Sequence, residues 1–482
     1  MQVRAILLSS LVSVLLSLAG VKAPAPRVLE VFKEFDRISS RPLWPGFQPG
    51  RITLEVFDGG RTWLLRHPTP PAEFRPFPGE KDVAVFGGRH ESLRANTSIV
   101  LGGIATATAS FEGHQESPRR LACLLIHEAF HVFQARRHPK WGGNEVEQLL
   151  YPVDDPEVLA QRRLESTALT RALSAGNPSA TLAWAARALS ARRDRFARLP
   201  ESASAYERGT EMKEGLARYV ETRAAGQGEP LLPREEFPAQ AVRLRSYASG
   251  CAIGLILDRL DPGWKRRLEK RDDVALDEQL RRVVAGSRPI EFSAADEEAA
   301  RRRAADDVAA LKARDAALRR EFFRAPGWTV VIEAEDPLFP QGFDPWNVER
   351  LSASEVLHTR WIKLGNSSGS IEVLDRHCLT EGAGKRPLFE GIRRATITGL
   401  SSEPRIEETD GAVKISSGGL TLEFRGASVT RSGQILTVTL SRSPDRTITR
   451  SPDSSSRYNM LSIMAFSVGL GRIALATFAG SG

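Results

Sequence analysis

From Ser117 through residue 325 the apolar residues of this chain recur every three to four positions, and past Pro326-Gly327 they alternate one by one. A period near 3.6 suits helices that bury one stripe, and a period of two suits strands that bury one face. The two patterns do not mix, so the chain must build a helical core first and an all-β module after it. The first helical run opens at Ser117-Pro118, where serine can cap and proline can occupy the first turn. It continues through Leu121, Leu124, Leu125, Phe130 and Phe133 and stops at Pro139 and Gly142-Gly143. Further helical runs cover 156–174, 179–199, 205–226, 238–260 and the charged stretch 294–323. Strand-like alternation, divided by Gly, Ser and Pro, covers 328–333, 371–374, 394–398, 412–415, 420–424 and 435–440.

Upstream of Ser117 short β-prone segments occupy 51–57, 62–67, 82–86 and 97–110. The last of these holds Gly102 and Gly103, which suits a strand that another backbone approaches closely. The expectation is an α+β protein: an N-terminal β-containing lobe over 24–118, a helical core over 119–325, a β module over 326–440 and a tail over 441–482. The tail is Ser/Arg-rich and then apolar, which fits either a disordered end or a weakly membrane-associating one.

At 482 residues the chain is too long for one ordinary domain. The net charge of +8, from 67 basic and 59 acidic residues, is spread along the chain without interleaved aromatics. Nucleic-acid platforms cluster their basic residues, so no nucleic-acid partner is expected. Met1 to Arg4 give a short positive start, 5–18 are apolar apart from serines, and Ser17 and Ala19 supply small residues at a cleavage site. This reads as a signal peptide over 1–19, and the stretch is shorter than the roughly 20 residues a span needs. A periplasmic or extracellular protein without a stable membrane span is expected. Three cysteines, Cys123, Cys251 and Cys378, are too few for a disulfide framework, and the first two sit among apolar neighbours as buried thiols do.

The strongest chemical signal is His127-Glu128-Ala129-Phe130-His131. Histidines four apart on a helix lie one turn above each other, so both imidazoles can reach one tetrahedral Zn²⁺. Glu128, beside the first ligand, can take a proton from the attacking water as general base. Leu124, Leu125, Ile126, Val132 and Phe133 make the flanks apolar, as a buried helix requires. A metzincin would place Gly and His where Gln134 and Arg137 stand, and His138 is one residue late and followed by Pro139. His138 fits better as a cation at the end of its helix.

The third ligand must therefore come from elsewhere. Glu214-Gly215-Leu216-Ala217-Arg218-Tyr219 offers a carboxylate on a later helix, and Glu165 is the competing candidate. A Glu-Gly-Leu-Ala-x-Tyr helix downstream of His-Glu-x-x-His resembles the gluzincin metallopeptidases. The resemblance implies a zincin-like core in which Glu214 completes the zinc site with His127 and His131. Glu221, two turns further on, could orient a ligand or lie on a solvated face. Tyr247-Ala248-Ser249-Gly250, entering an apolar helix, is similar to the Tyr-x-x-Gly element of gluzincin aminopeptidases, which implies Tyr247 as donor to the oxyanion. Tyr219 and Tyr206 are alternatives for that role. The element that binds a substrate amine in those aminopeptidases has no counterpart here. The strand preceding the active helix, within 98–108, is the candidate partner of an extended substrate.

Trp44 and Phe47, and the Phe343-Asp344-Pro345-Trp346 run, are expected to pack rather than line a pocket. The expected function is hydrolysis of a peptide or protein substrate with one zinc per chain. Hydrolysis of a non-peptide amide or ester, and a non-catalytic scaffold, are the alternatives.

Overall fold

The computed structural model describes residues 26–441, apart from 94–95, 227–231, 233–235, 272, 345–346 and 385. The signal-like stretch, most of the tail and Pro345-Trp346 lie outside the described residues. In chain order, helix α1 (Arg27–Ser39) precedes six strands. These are β1 (Thr53–Phe57), β2 (Arg61–Leu65), β3 (Arg75–Pro76), β4 (Val83–Gly87), β5 (Thr97–Leu101) and β6 (Ile104–Ser110). Helices α2 (Pro118–Arg137), α3 (Val146–Leu150), α4 (Pro156–Ser174), α5 (Pro178–Phe196) and α6 (Glu201–Thr210) follow. A π-helical turn, Glu211–Gly215, runs straight into α7 (Leu216–Ala225). Then come α8 (Val242–Leu260), α9 (Trp264–Lys270), α10 (Leu276–Val283) and α11 (Ala294–Arg324). The chain is thus α+β, with its remaining strands gathered at the C-terminal end.

Helix starts follow one local rule. Ser117 accepts from the Arg120 amide, Asp155 from Glu157 and Val158, Asn177 from Ala180, and Ser293 from Asp296. In the first three a proline occupies the first turn, where its missing N–H costs nothing.

The chain divides into two compact units that interleave in sequence. The first takes the chain up to Trp141 together with Lys213–Leu231 and Asp261–Val274. The second takes Gly142–Met212, Leu232–Leu260 and the chain from Ala275. They cut across the linear segments expected from the sequence, because Lys213–Leu231 and Asp261–Val274 return to the first unit.

The first unit holds a sheet of order β3-β4-β2-β1-β6-β5, in which only the β1–β6 pairing is parallel. Helix α2 packs on β5 and β6, and α1 and α7 pack on α2. Two details differ from the sequence reading. The N-terminal lobe opens with a helix, α1, whose buried Val28, Val31, Phe32, Phe35 and Ile38 repeat at helical spacing. Residues 97–110 are also not one strand: Gly102 (φ 53°) and Gly103 (φ 82°) form the turn of a hairpin. Two consecutive positive φ angles are what a two-residue hairpin turn demands, and glycine adopts them without strain. That turn makes β5 the edge strand of the sheet.

The second unit joins helices α3 to α6, α8, α10 and α11 to twelve strands. Its sheet is organised on the long strand β7 (Trp328–Phe343), whose first half pairs with β13 (Ile392–Leu400) and, in parallel, with β18 (Ile435–Leu440). Its second half pairs with β10 (Trp361–Asn366). Val330, Ile332, Ile362, Leu364, Ile397, Leu422, Phe424 and Val438 form the enclosed core.

Candidate metal centre

Helix α2 lies inside the first unit, with Leu121, Leu125, Ile126, Ala129, Phe130 and Val132 buried. A helix enclosed by apolar neighbours needs every polar side chain on it to find a partner. His127, Glu128 and His131 are all buried on this helix, and the two imidazole rings stand edge to face with centroids 4.8 Å apart. The partner they share is Glu214. Its Oε2 lies 3.1 Å from His131 Nε2 and 3.7 Å from His127 Nε2. Two ligands at about 2.0–2.1 Å from a tetrahedral zinc are separated by about 3.3 Å, so these spacings bracket the geometry of one ion. Among the described residues, His127, His131 and Glu214 form the group of potential metal ligands whose atoms all lie within 4.8 Å of one another.

Glu214 is delivered by the π-helical turn Glu211–Gly215. Such a turn inserts an extra residue into the helical register, and these turns recur at functional sites. The chain passes from the second unit to the first between Met212 and Lys213, within this turn. Helix α7 then places Glu221 beside the same histidine.

Each imidazole is held at its other nitrogen. His127 Nδ1 lies 3.2 Å from Glu221 Oε2, and a carboxylate only accepts, so Nδ1 carries the proton. Glu221 is itself fixed by Arg218, whose Nη1 donates to Oε1 at 2.6 Å. His131 Nδ1 lies 2.8 Å from Gln134 Oε1, and Gln134 Nε2 donates to the Lys213 carbonyl at 2.9 Å. That second bond fixes the amide orientation and leaves Oε1 to accept from Nδ1–H. With Nδ1 engaged in this way, Nε2 is the atom that each ring turns toward Glu214. This is the arrangement in which outer partners orient metal-ligating histidines.

Without a metal ion the electrostatics favour a proton on His127. Burial disfavours a charged His127, yet its bonds to Glu214 and Glu221 outweigh that and hold its pKa up at about 10. Burial also works against ionised Glu221, but His127 and Arg218 hold it down at about 2. Burial raises the Glu128 carboxyl above its ordinary value against the pull of the two histidines. Its Oε2 is buried with no hydrogen-bond partner. An orphaned carboxylate oxygen beside three convergent ligand atoms suits a group that handles a water or a cation.

The other sequence candidates fall elsewhere. Glu165, the competing third ligand, lies in the second unit, where Arg192 Nη2 and Arg195 Nη2 donate to its two oxygens at 2.7 Å each. Arg245 Nη2 stands 3.0 Å from the same carboxylate, so Glu165 serves an arginine cluster and not the histidine pair. His138 closes α2, stacks on Trp141 at 3.8 Å and meets Glu269 at 3.0 Å. Glu221, left between two readings by the sequence, is buried and bonded to His127.

Tyr247 belongs to the second unit, on α8, half-buried with its hydroxyl 3.4 Å from Arg243 Nη2. Tyr206 lies in that unit too, its hydroxyl 3.2 Å from Gln148 Oε1. Tyr219 is fully buried in the first unit, where its hydroxyl accepts from Lys265 Nζ at 2.7 Å. Trp44 packs edge-on against Phe130, Trp264 and Tyr219, and Phe47 against Phe130. Cys123, Cys251 and Cys378 are buried free thiols.

Sequence reasoning did not single out Gln134 as a partner of the site. The available signal was its position three residues after His131, on the same helix face. The π turn carries no comparable signal. No family model, curated protein or solved structure matches this chain.

Proposed function

We propose that the chain is an exported gluzincin-type zinc metallopeptidase with a zincin-like core, zinc being held by His127, His131 and Glu214. The observation that carries this reading is the convergence of two Nε2 atoms and one Glu214 oxygen, each imidazole anchored behind by its own acceptor. Zinc prefers nitrogen and oxygen donors in this number and leaves a position open in catalytic sites. When bound, the ion supplies a Lewis acid that polarises the scissile carbonyl and acidifies water.

The remaining work falls to the chain. Glu128 takes the proton of the attacking water and delivers it to the leaving amine, and its burial-raised basicity suits both transfers. The Tyr-x-x-Gly resemblance alone implies Tyr247 as donor to the oxyanion. Edge strand β5, with Val100 73% exposed, offers free backbone groups to an extended peptide.

Metal analysis paired with a peptide-library assay tests this on wild type and Glu128→Gln. About one zinc per chain is expected in both, with hydrolysis reduced on the order of 10²–10⁴-fold in the variant. Metal-free wild type would sink the site. Full activity in Glu128→Gln would remove the general base, and Glu128-dependent cleavage confined to esters or non-peptide amides would move the substrate class.

A further inference from the structure

We infer that Gln134 is a positioning residue that locks His131 and Glu214 into one ligand set; the inference rests on the metal-site reading above. Its side chain is 3% exposed and has two distinct ends in use. Oε1 accepts from His131 Nδ1–H at 2.8 Å, and Nε2 donates to the carbonyl of Lys213 at 2.9 Å. Lys213 directly precedes Glu214 in the π-helical turn. One amide therefore sets the tautomer of one ligand and the backbone position of the next.

The chemistry explains an amide at this place. A carboxylate could accept from Nδ1 but would set oxygen against the Lys213 carbonyl oxygen. The site already holds the buried carboxylates Glu128, Glu214 and Glu221, so a fourth would add charge without a partner. A thioether of similar size would fill the space and hold neither end. The two histidines are thus backed differently, His127 by a carboxylate and His131 by a neutral group.

The test compares Gln134→Met, which removes both bonds, with Gln134→Glu, which keeps only the acceptor. Zinc affinity is measured by chelator competition, the ligand field by the visible spectrum of the Co²⁺-loaded proteins, and the fold by the metal-free melting temperature. Gln134→Met should lose about 10–100-fold in zinc affinity, the scale seen when outer partners of metal ligands are removed. Gln134→Glu should recover no more than part of that loss, and both variants should shift the Co²⁺ bands.

Wild-type affinity in Gln134→Met overturns the inference, and full recovery in Gln134→Glu overturns the coupling to Lys213. An affinity loss matched by a collapse of the metal-free melting temperature, with unshifted Co²⁺ bands, assigns Gln134 to the fold and overturns it as well. If wild type itself binds neither ion, the metal-site reading has failed first, and that result is separable from the others.

Discussion

In the first unit Glu214 faces two imidazoles; in the second, Glu165 faces three guanidiniums. Both carboxylates are buried, both sit on helical turns, and both are candidates for the same role when only the sequence is read. Their surroundings separate them. Around Glu165, Glu207 and Glu211 stand Arg192, Arg195 and Arg245, and Glu236 faces Arg245 and Arg162, so buried carboxylates and guanidiniums are interleaved. Those bonds are close: Arg192 Nη1 reaches Glu211 at 2.8 Å and Arg195 Nη2 reaches Glu207 at 2.9 Å. Glu165 is accordingly held well below the usual carboxylate range, the arginines more than offsetting its burial.

The histidine cluster is arranged differently. Glu128, Glu214 and Glu221 stand with two imidazoles, and Arg218 bonds Glu221. In the metal-free protein Glu214 and Glu221 favour a proton on His127, the charge that a bound divalent cation would replace. Buried ions are tolerated where they are paired, so the arginines answer the carboxylates around Glu165, whereas His127, His131 and Glu214 form a group that could hold a metal ion.

That contrast is broken most severely by removing one glutamate from each. Glu165→Ala leaves Arg192, Arg195 and Arg245 without a shared counter-charge and should cost about 3–5 kcal/mol of stability. Chemical denaturation with excess chelator should show it, and any folded variant should still take up zinc. Glu214→Ala removes the carboxylate that both imidazoles face. It should abolish stoichiometric zinc and lower the His127 pKa in the metal-free protein. If Glu165→Ala loses zinc while remaining folded, the assignment of the two roles is inverted.

Much of this was legible beforehand. The helix that carries His127 and His131 announces itself through Ser117-Pro118 at its start and apolar flanks throughout, because caps and periodicity are local. Glu214 was legible through the small residues beside it and the resemblance they carry. What separates it from Glu165 was not, because Arg192, Arg195 and Arg245 lie 27, 30 and 80 positions away along the chain from Glu165. No local pattern reports such pairings. The hairpin at Gly102-Gly103 was misread as one strand because both arms share β-branched and small residues, and only positive φ at two successive glycines divides them. The division into units escaped notice for a similar reason: Lys213–Leu231 and Asp261–Val274 look like ordinary pieces of a helical run.

A smaller effect tests how far the histidine cluster depends on its outer partners. Glu221→Gln keeps an acceptor for His127 Nδ1 but removes a charge, and Arg218 loses its ion pair. Zinc affinity should drop by about tenfold, at the lower edge of what such partners contribute. An unchanged affinity would place Glu221 with the packing of α7 and outside the site.

The mildest probe is pH, and it reads the His127 proton directly. In the metal-free protein the folded pKa of His127 is raised to about 10, above the roughly 6.5 of an unfolded histidine. A raised pKa stabilises the fold fully below the unfolded value, and the contribution is lost as pH rises through the folded one. Stability with chelator present should therefore decline from near pH 6.5 toward pH 10. Zinc must displace that same proton, so its affinity should rise across the window. Glu221 acts at the other end: its pKa is depressed to about 2, so its contribution is present above the ordinary carboxylate value and fades as pH falls toward 2. Glu165→Ala, remote from the zinc ligands in the chain's second unit, should leave the rise in zinc affinity with pH in place. A metal-free melting temperature that stays flat from pH 6.5 to 10 would mean that His127 gains no charge from its neighbours, and the proposed competition between that proton and zinc would fall with it.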